Sequence, residues 1–120
     1  MKVLSEAHLY ELENFENKEK QGQKLQFIEK MTVTQMRLKG VFMPDGSNYP
    51  KDLDQLVTIN DGTTNQEVIE MLIDRLGKLA AKFPSRENSI AITKLDEALM
   101  WLNKRTQDRI KRGVEGKYIK

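Results

Sequence analysis

The chain is predicted to adopt an α+β fold, a small antiparallel β-sheet followed by a C-terminal antiparallel helical hairpin, assembled as a homo-oligomer. Three observations lead there. Residues from Leu25 to Met43 are rich in β-branched and large apolar side chains and run into turn-forming residues. Two later stretches repeat apolar residues at spacings of three and four, the signature of one-sided helices. Almost nothing separates those two stretches, and short helix connections place helices antiparallel and in contact. A single core in a chain of 120 residues buries only part of its surface, so self-association is a natural supplement.

In chain order, residues 1–23 form an N-terminal arm or strand. The first fifteen alternate weakly, from Leu9 and Tyr10 to Phe15, and the polar stretch Glu16 to Gln23 comes next. Residues 24–62 are the β region. Two strands are expected between Leu25 and Met43, breaking near Thr32, with Met36, Leu38, Gly40 and Phe42 alternating onto one side of the second. Met43, Pro44, Asp45 and Gly46 suit a tight turn, since proline presets the first corner and glycine accepts a positive φ. Leu56 to Ile59 is a third short strand, stopped by Asn60, Asp61 and Gly62.

Residues 63–113 are the helical hairpin. Thr64, Asn65, Gln66 and Glu67 make a capping box, and Ile69, Leu72, Leu76, Leu79 and Phe83 line one face before Pro84 ends the helix. Ser85 caps the second helix, which passes through Ile90, Leu95, Leu99, Leu102 and Ile110 toward a left-handed stop at Gly113. Residues 114–120 are a tail, expected to fold back and add Tyr118.

Composition narrows the function. Hydrophobic residues at 38% and charged residues at 32% describe a globular chain rather than a disordered one. With no cysteine, disulfides, thiolate nucleophiles and sulfur-ligated zinc are excluded, and a reducing cytoplasm is compatible. No apolar run approaches the ~20 residues that cross a bilayer, and the N-terminus turns polar too early for a signal peptide, so a cytoplasmic protein without a membrane partner is expected.

The net charge of +2 is unevenly spread. Lys104 to Lys120 holds seven basic residues against two acidic ones, so the positive field lies at the C-terminal end and asks for an anionic partner there. A protein that coats DNA or RNA polymers would be basic throughout.

The second helix should overhang the first by roughly nine residues, some 13 Å, starting near Lys104. Its seam, traced as Ala91, Leu95, Ala98, Leu102, Arg105, Arg109 and Arg112, switches from apolar to cationic at that point. Like charges at such spacings repel, and the planar guanidinium grips phosphate oxygens in a bidentate way. The ladder therefore fits a phosphorylated small ligand or an acidic neighbouring subunit. It also fits a solvated helix end helped by cations near its C-terminus.

Asn88 and Asn103, like Ser89 and Thr93, offer polar contacts to a ligand or serve as ordinary caps and surface residues. Trp101, Phe83 and Met100 offer stacking surface or simply core. His8 is the one histidine and is expected to be exposed. No glycine-rich phosphate loop, carboxylate pair, serine elbow or metal-loop pattern is found, so neither an enzyme nor a bound cofactor is expected.

The run Ala91-Ile92-Thr93-Lys94-Leu95, the acidic pair Asp96-Glu97 and then Ala98-Leu99-Met100-Trp101-Leu102-Asn103 resemble the helical hairpin shared by phage anti-defence sponges that act against Thoeris and CBASS. Lys39-Gly40-Val41-Phe42-Met43-Pro44-Asp45-Gly46 and the ending from Thr106 to Gly116 resemble Thoeris anti-defence proteins of the first type. The resemblance covers roughly residues 24 to 116 and implies an oligomeric sponge in the infected host's cytoplasm. Such a sponge captures glyco-cyclic ADP-ribose made by TIR-domain enzymes and holds it uncleaved. Some relatives bind cyclic oligonucleotides of CBASS, di- and trinucleotides, at a second site.

The ligand-binding candidates are Arg109 and Arg105, then Arg112, with Phe83, Asn88, Trp101 and Asn103 behind them. A different class of function, a protein-interaction module or inhibitor docking an acidic host protein through the same basic helix end, is the alternative. A signal-cleaving enzyme is the second rival.

Overall fold

The computed structural model describes residues 1–113. It divides into two compact units, one of Met1–Thr63 and one that begins at Thr64. The architecture is α+β, with small antiparallel sheets preceding a C-terminal pair of packed helices.

In the first unit, β1 (Lys2–Ser5), β2 (Leu9–Leu12) and β3 (Gln23–Gln26) form a three-stranded sheet in that order. Register pairs Val3 with Tyr10 and Tyr10 with Leu25, which sets apolar side chains side by side on one face. Phe27 extends that face, edge-on to Tyr10 with ring centroids 5.8 Å apart. Residues on both sides of position 23 thus share one sheet. His8 is half-buried rather than exposed, and its backbone carbonyl accepts from Phe27 N–H at 2.7 Å.

A second, two-stranded sheet pairs β4 (Glu29–Thr32) with β5 (Leu56–Asn60), the strand expected at Leu56. The strand expected to break near Thr32 does so, but the next segment is not a strand. It is α1 (Val33–Lys39), a two-turn helix. Thr32 Oγ1 accepts from Gln35 N–H at 3.1 Å, and Gln35 Oε1 accepts from Thr32 N–H at 2.8 Å. That reciprocal pair is a capping box, which satisfies two donors the helix would otherwise leave open. Gly40, at φ 69°, ends the helix in the left-handed region, and Val41 N–H then returns to Met36 O at 2.8 Å.

Helical geometry also explains why the apolar alternation misleads. Val33 and Met36, three apart, are fully buried, while Leu38 and Phe42 of the supposed strand face are 83% and 82% exposed. The turn at Met43 closes as expected, with Gly46 N–H on Met43 O at 3.0 Å. Hydrogen bonds from Ser47 hold the Asp45 carboxyl below its ordinary range.

The second unit is the helical hairpin. Thr64 caps α2 (Asn65–Lys82), with Glu67 N–H on Thr64 Oγ1 at 3.2 Å. Ser85 caps α3 (Arg86–Lys111), with Asn88 N–H on Ser85 Oγ at 3.0 Å. Pro84 stands between them and the helices pack on each other. Gln66 Nε2 donates to Thr106 Oγ1 at 3.2 Å, which fixes the antiparallel register.

With 26 residues against 18, α3 outruns its partner. Because the second residue of α2 lies beside Thr106, the overhang begins just past that residue. This is within a turn of the Lys104 expected from sequence. The residues from position 114, including the tail and Tyr118, lie outside the described part. No helix among the described residues is long and apolar enough to cross a membrane.

Candidate functional site: a cationic pocket on the last turns of α3

The half-buried residues of α3 trace the seam of the hairpin: Asn88, Ala91, Ile92, Leu95, Leu99, Leu102 and Thr106. Spacings of three and four keep them on the side that meets Ile69, Ile73 and Leu76 of α2, which are likewise half-buried. The seam ends on Arg109, 8% exposed and the one residue of the hairpin, among those described, that is buried.

This differs from the seam expected from sequence. Ala98, Arg105 and Arg112 are exposed, and Leu99 and Thr106 occupy the positions assigned to Ala98 and Arg105. At about 100° per residue, Arg105 and Arg112 sit roughly a quarter turn round α3 from the seam. Arg109 lies between the two faces.

That neighbouring face carries an open pocket of about 570 Å³, lined by Trp101, Lys104, Arg105, Asp108, Arg109 and Arg112. The residues recur every three or four positions, so they form a stripe along one side of the helix. Among the described lining residues four cationic side chains stand against one carboxylate, and Trp101 lies at one end of the stripe. Lys104 Nζ lies 3.2 Å from Asp108 Oδ2, an exposed pair one turn apart. The volume falls within the range of small-ligand sites.

Of the seven candidates, the pocket brings together Arg105, Arg109, Arg112 and Trp101. The other three lie elsewhere. Asn88 sits in the first turn of α3, about 20 Å along the axis from Trp101, and its backbone N–H is taken up by the Ser85 cap. Phe83 is the C-cap of α2 at the same end of the hairpin, 76% exposed. Asn103 is two residues beyond Trp101 and so points to the opposite side of the helix.

Sequence reasoning misses Asp108 and gives Lys104 no role but the start of the overhang. Counting three, four and seven residues on from Trp101 reaches Lys104, Arg105 and Asp108, so the signal is available once Trp101 is taken as the origin. Among the described residues no cluster of three or more metal-binding side chains exists.

Residues 47–107, just over half of the chain, match the family described as Acb2/Tad1, hairpin domain. This chain belongs to that family. The match takes in the whole of α2 and most of α3, so Trp101, Lys104 and Arg105 fall within it. Asp108, Arg109 and Arg112 come directly after.

A protein of Bacillus phage SBSphiJ7 named "Thoeris anti-defense 1" is 54% identical over 61 residues, which are 50% of this chain and 43% of that protein. The chain therefore matches less than half the length of this relative.

Proposed function

We propose that this chain is a phage anti-Thoeris sponge: it captures a cyclic ADP-ribose-type signal, glyco-cyclic ADP-ribose, and holds it uncleaved. The observation that carries this reading is the pocket of Arg105, Arg109, Arg112 and Lys104 beside Trp101, on the helix that the family match includes in large part. Guanidinium groups chelate pyrophosphate oxygens, and an indole offers a face on which a purine stacks. Arg109, already withdrawn from water, holds its charge where a phosphate gains most from it. No step of bond breaking is assigned to any residue.

A homo-oligomer completes the site in this reading. The hairpin leaves Met71, Met100 and Trp101 more than half exposed, with Leu72, Leu79 and Ile90 partly so. Apolar surface of that extent is characteristic of an interface. An open stripe on one helix buries too little of a ligand by itself, and a second copy against it supplies the missing wall. Cyclic di- and trinucleotides of CBASS, taken up elsewhere on the oligomer, are part of the same proposal.

The test is to incubate purified protein with the signal, measure what remains free, then denature the protein and analyse the supernatant. Depletion and then release of intact signal supports the sponge. A new product points to an enzyme. Undiminished free signal points instead to docking of an acidic host protein through the basic helix end.

A further inference from the structure

We propose that Asp108 is a specificity-determining residue: it accepts hydrogen bonds from ribose hydroxyls and so makes the pocket prefer a nucleoside pyrophosphate over a bare one. This inference rests on the sponge reading above and deepens it.

The placement of Asp108 is unexplained by helix stability. It lies in the last turn of α3, which ends at Lys111, where the negative end of the helix dipole disfavours a carboxylate. Its partner Lys104 precedes it by four residues, and that order is the weaker of the two for an ion pair along a helix. The side chains are 58% and 52% exposed, so the pair adds little to stability.

Simple anion capture does not account for it either. Among four cations, one carboxylate lowers the attraction for any phosphate and takes up Lys104. A carboxylate supplies an acceptor for hydroxyl donors, which a guanidinium cannot. An acidic side chain reading ribose hydroxyls beside a bound pyrophosphate is a recurrent solution in nucleotide sites.

The geometry suits that task. Lys104 engages Oδ2, which steadies the carboxylate and leaves Oδ1 for a hydroxyl. Along the axis, Asp108 lies about 10 Å beyond Trp101 and about 6 Å before Arg112. A base on the indole, its ribose near Asp108 and the phosphates among the arginines match the order of groups in a nucleotide.

The experiment measures affinities of the full chain for glyco-cyclic ADP-ribose and for inorganic pyrophosphate, in the natural protein, Asp108→Ala and Lys104→Gln. Alanine is well tolerated near a helix C-terminus, so helix content should persist. For Asp108→Ala, affinity for the signal should fall about tenfold while that for pyrophosphate rises a few-fold, because an acceptor and a like charge are lost together. Lys104→Gln should weaken both ligands.

A ratio of the two affinities in Asp108→Ala that stays within twofold of the natural protein's overturns the assignment. So does the same ratio change in Lys104→Gln, since the broken ion pair would then be the cause. Failure of the natural protein to bind the signal overturns the sponge reading as well, whereas binding with an unmoved ratio removes only the role of Asp108.

Discussion

Replacing Arg109 by alanine tests whether the buried guanidinium dominates ligand capture. Arg109 is 8% exposed, while Arg105 and Arg112 on the same pocket wall are exposed. A hydrogen bond to a charged group withdrawn from water contributes about 1.5–3 kcal/mol, which is a loss of about 10- to 150-fold in affinity when it is deleted. An exposed pair contributes about 0–1 kcal/mol, at most about fivefold. Arg109→Ala should therefore weaken binding of glyco-cyclic ADP-ribose at least tenfold and Arg105→Ala severalfold at most. Arg109→Lys, which keeps the charge and loses the fork, should fall between. Titration calorimetry on the three variants measures this, with circular dichroism to establish equal helix content. If Arg105→Ala costs as much as Arg109→Ala, burial is not what sets the strength of the contact.

Four further outcomes are expected. Met36→Ala removes a fully buried side chain from the first unit and should lower its stability by about 2–5 kcal/mol in urea unfolding, a change under 1 kcal/mol meaning that the core lies elsewhere. Gly62→Ala sends a methyl group into the Gln26 carbonyl and to 2.8 Å from Phe27 C, so its melting temperature should drop clearly. Gly77→Ala, inside α2 with nothing within 4 Å of the added carbon, should stabilise the hairpin by about 0.5–1 kcal/mol in the same assay. Raising salt from about 0.05 to about 0.5 M should weaken capture of the signal progressively, since exposed cations are screened; salt-independent affinity would argue against the exposed arginines and Lys104 as contributors.

The hairpin is legible in the sequence because its signals are local. Thr64 and Ser85 cap where their residue types predict, Pro84 separates the helices, and Ile69, Leu76, Leu95, Leu99 and Leu102 of the expected apolar faces are half-buried, while Leu72, Leu79, Phe83, Ile90 and Ile110 are exposed. The turn at Met43 and the strand at Leu56 carry similarly local chemistry. The segment after Thr32 is harder. Met36, Leu38, Gly40 and Phe42 alternate as a strand would, while Thr32-Val33-Thr34-Gln35 spells a capping box whose effect depends on burying Val33 and Met36. Tertiary burial decides between the two readings, and no window of the sequence contains it. Around the pocket, charge along the sequence picks out the three arginines, although Arg105 and Arg112 lie off the seam on which the register placed them. Phe83 and Asn88 lie at the other end of the hairpin, because a long helix separates residues that share its face but not its end.

The pocket occupies the face of α3 next to the seam, and only Asp108, Arg109 and Arg112 of its lining lie past the Gln66–Thr106 bond. Up to Thr106 the half-buried seam of α3 is mostly apolar, with Asn88 at one end and Thr106, bonded to Gln66, at the other. Past the Gln66–Thr106 bond α2 continues only to Asn65, next to its Thr64 cap. Arginine at position 109 withdraws its stem from water as an apolar residue would and still carries a charge. Arg105 and Arg112 lie one turn to either side of it, so positive charge gathers where the apolar seam gives out. Arg109 thus joins the packed seam to the cationic stripe, being the last member of one and a lining residue of the other.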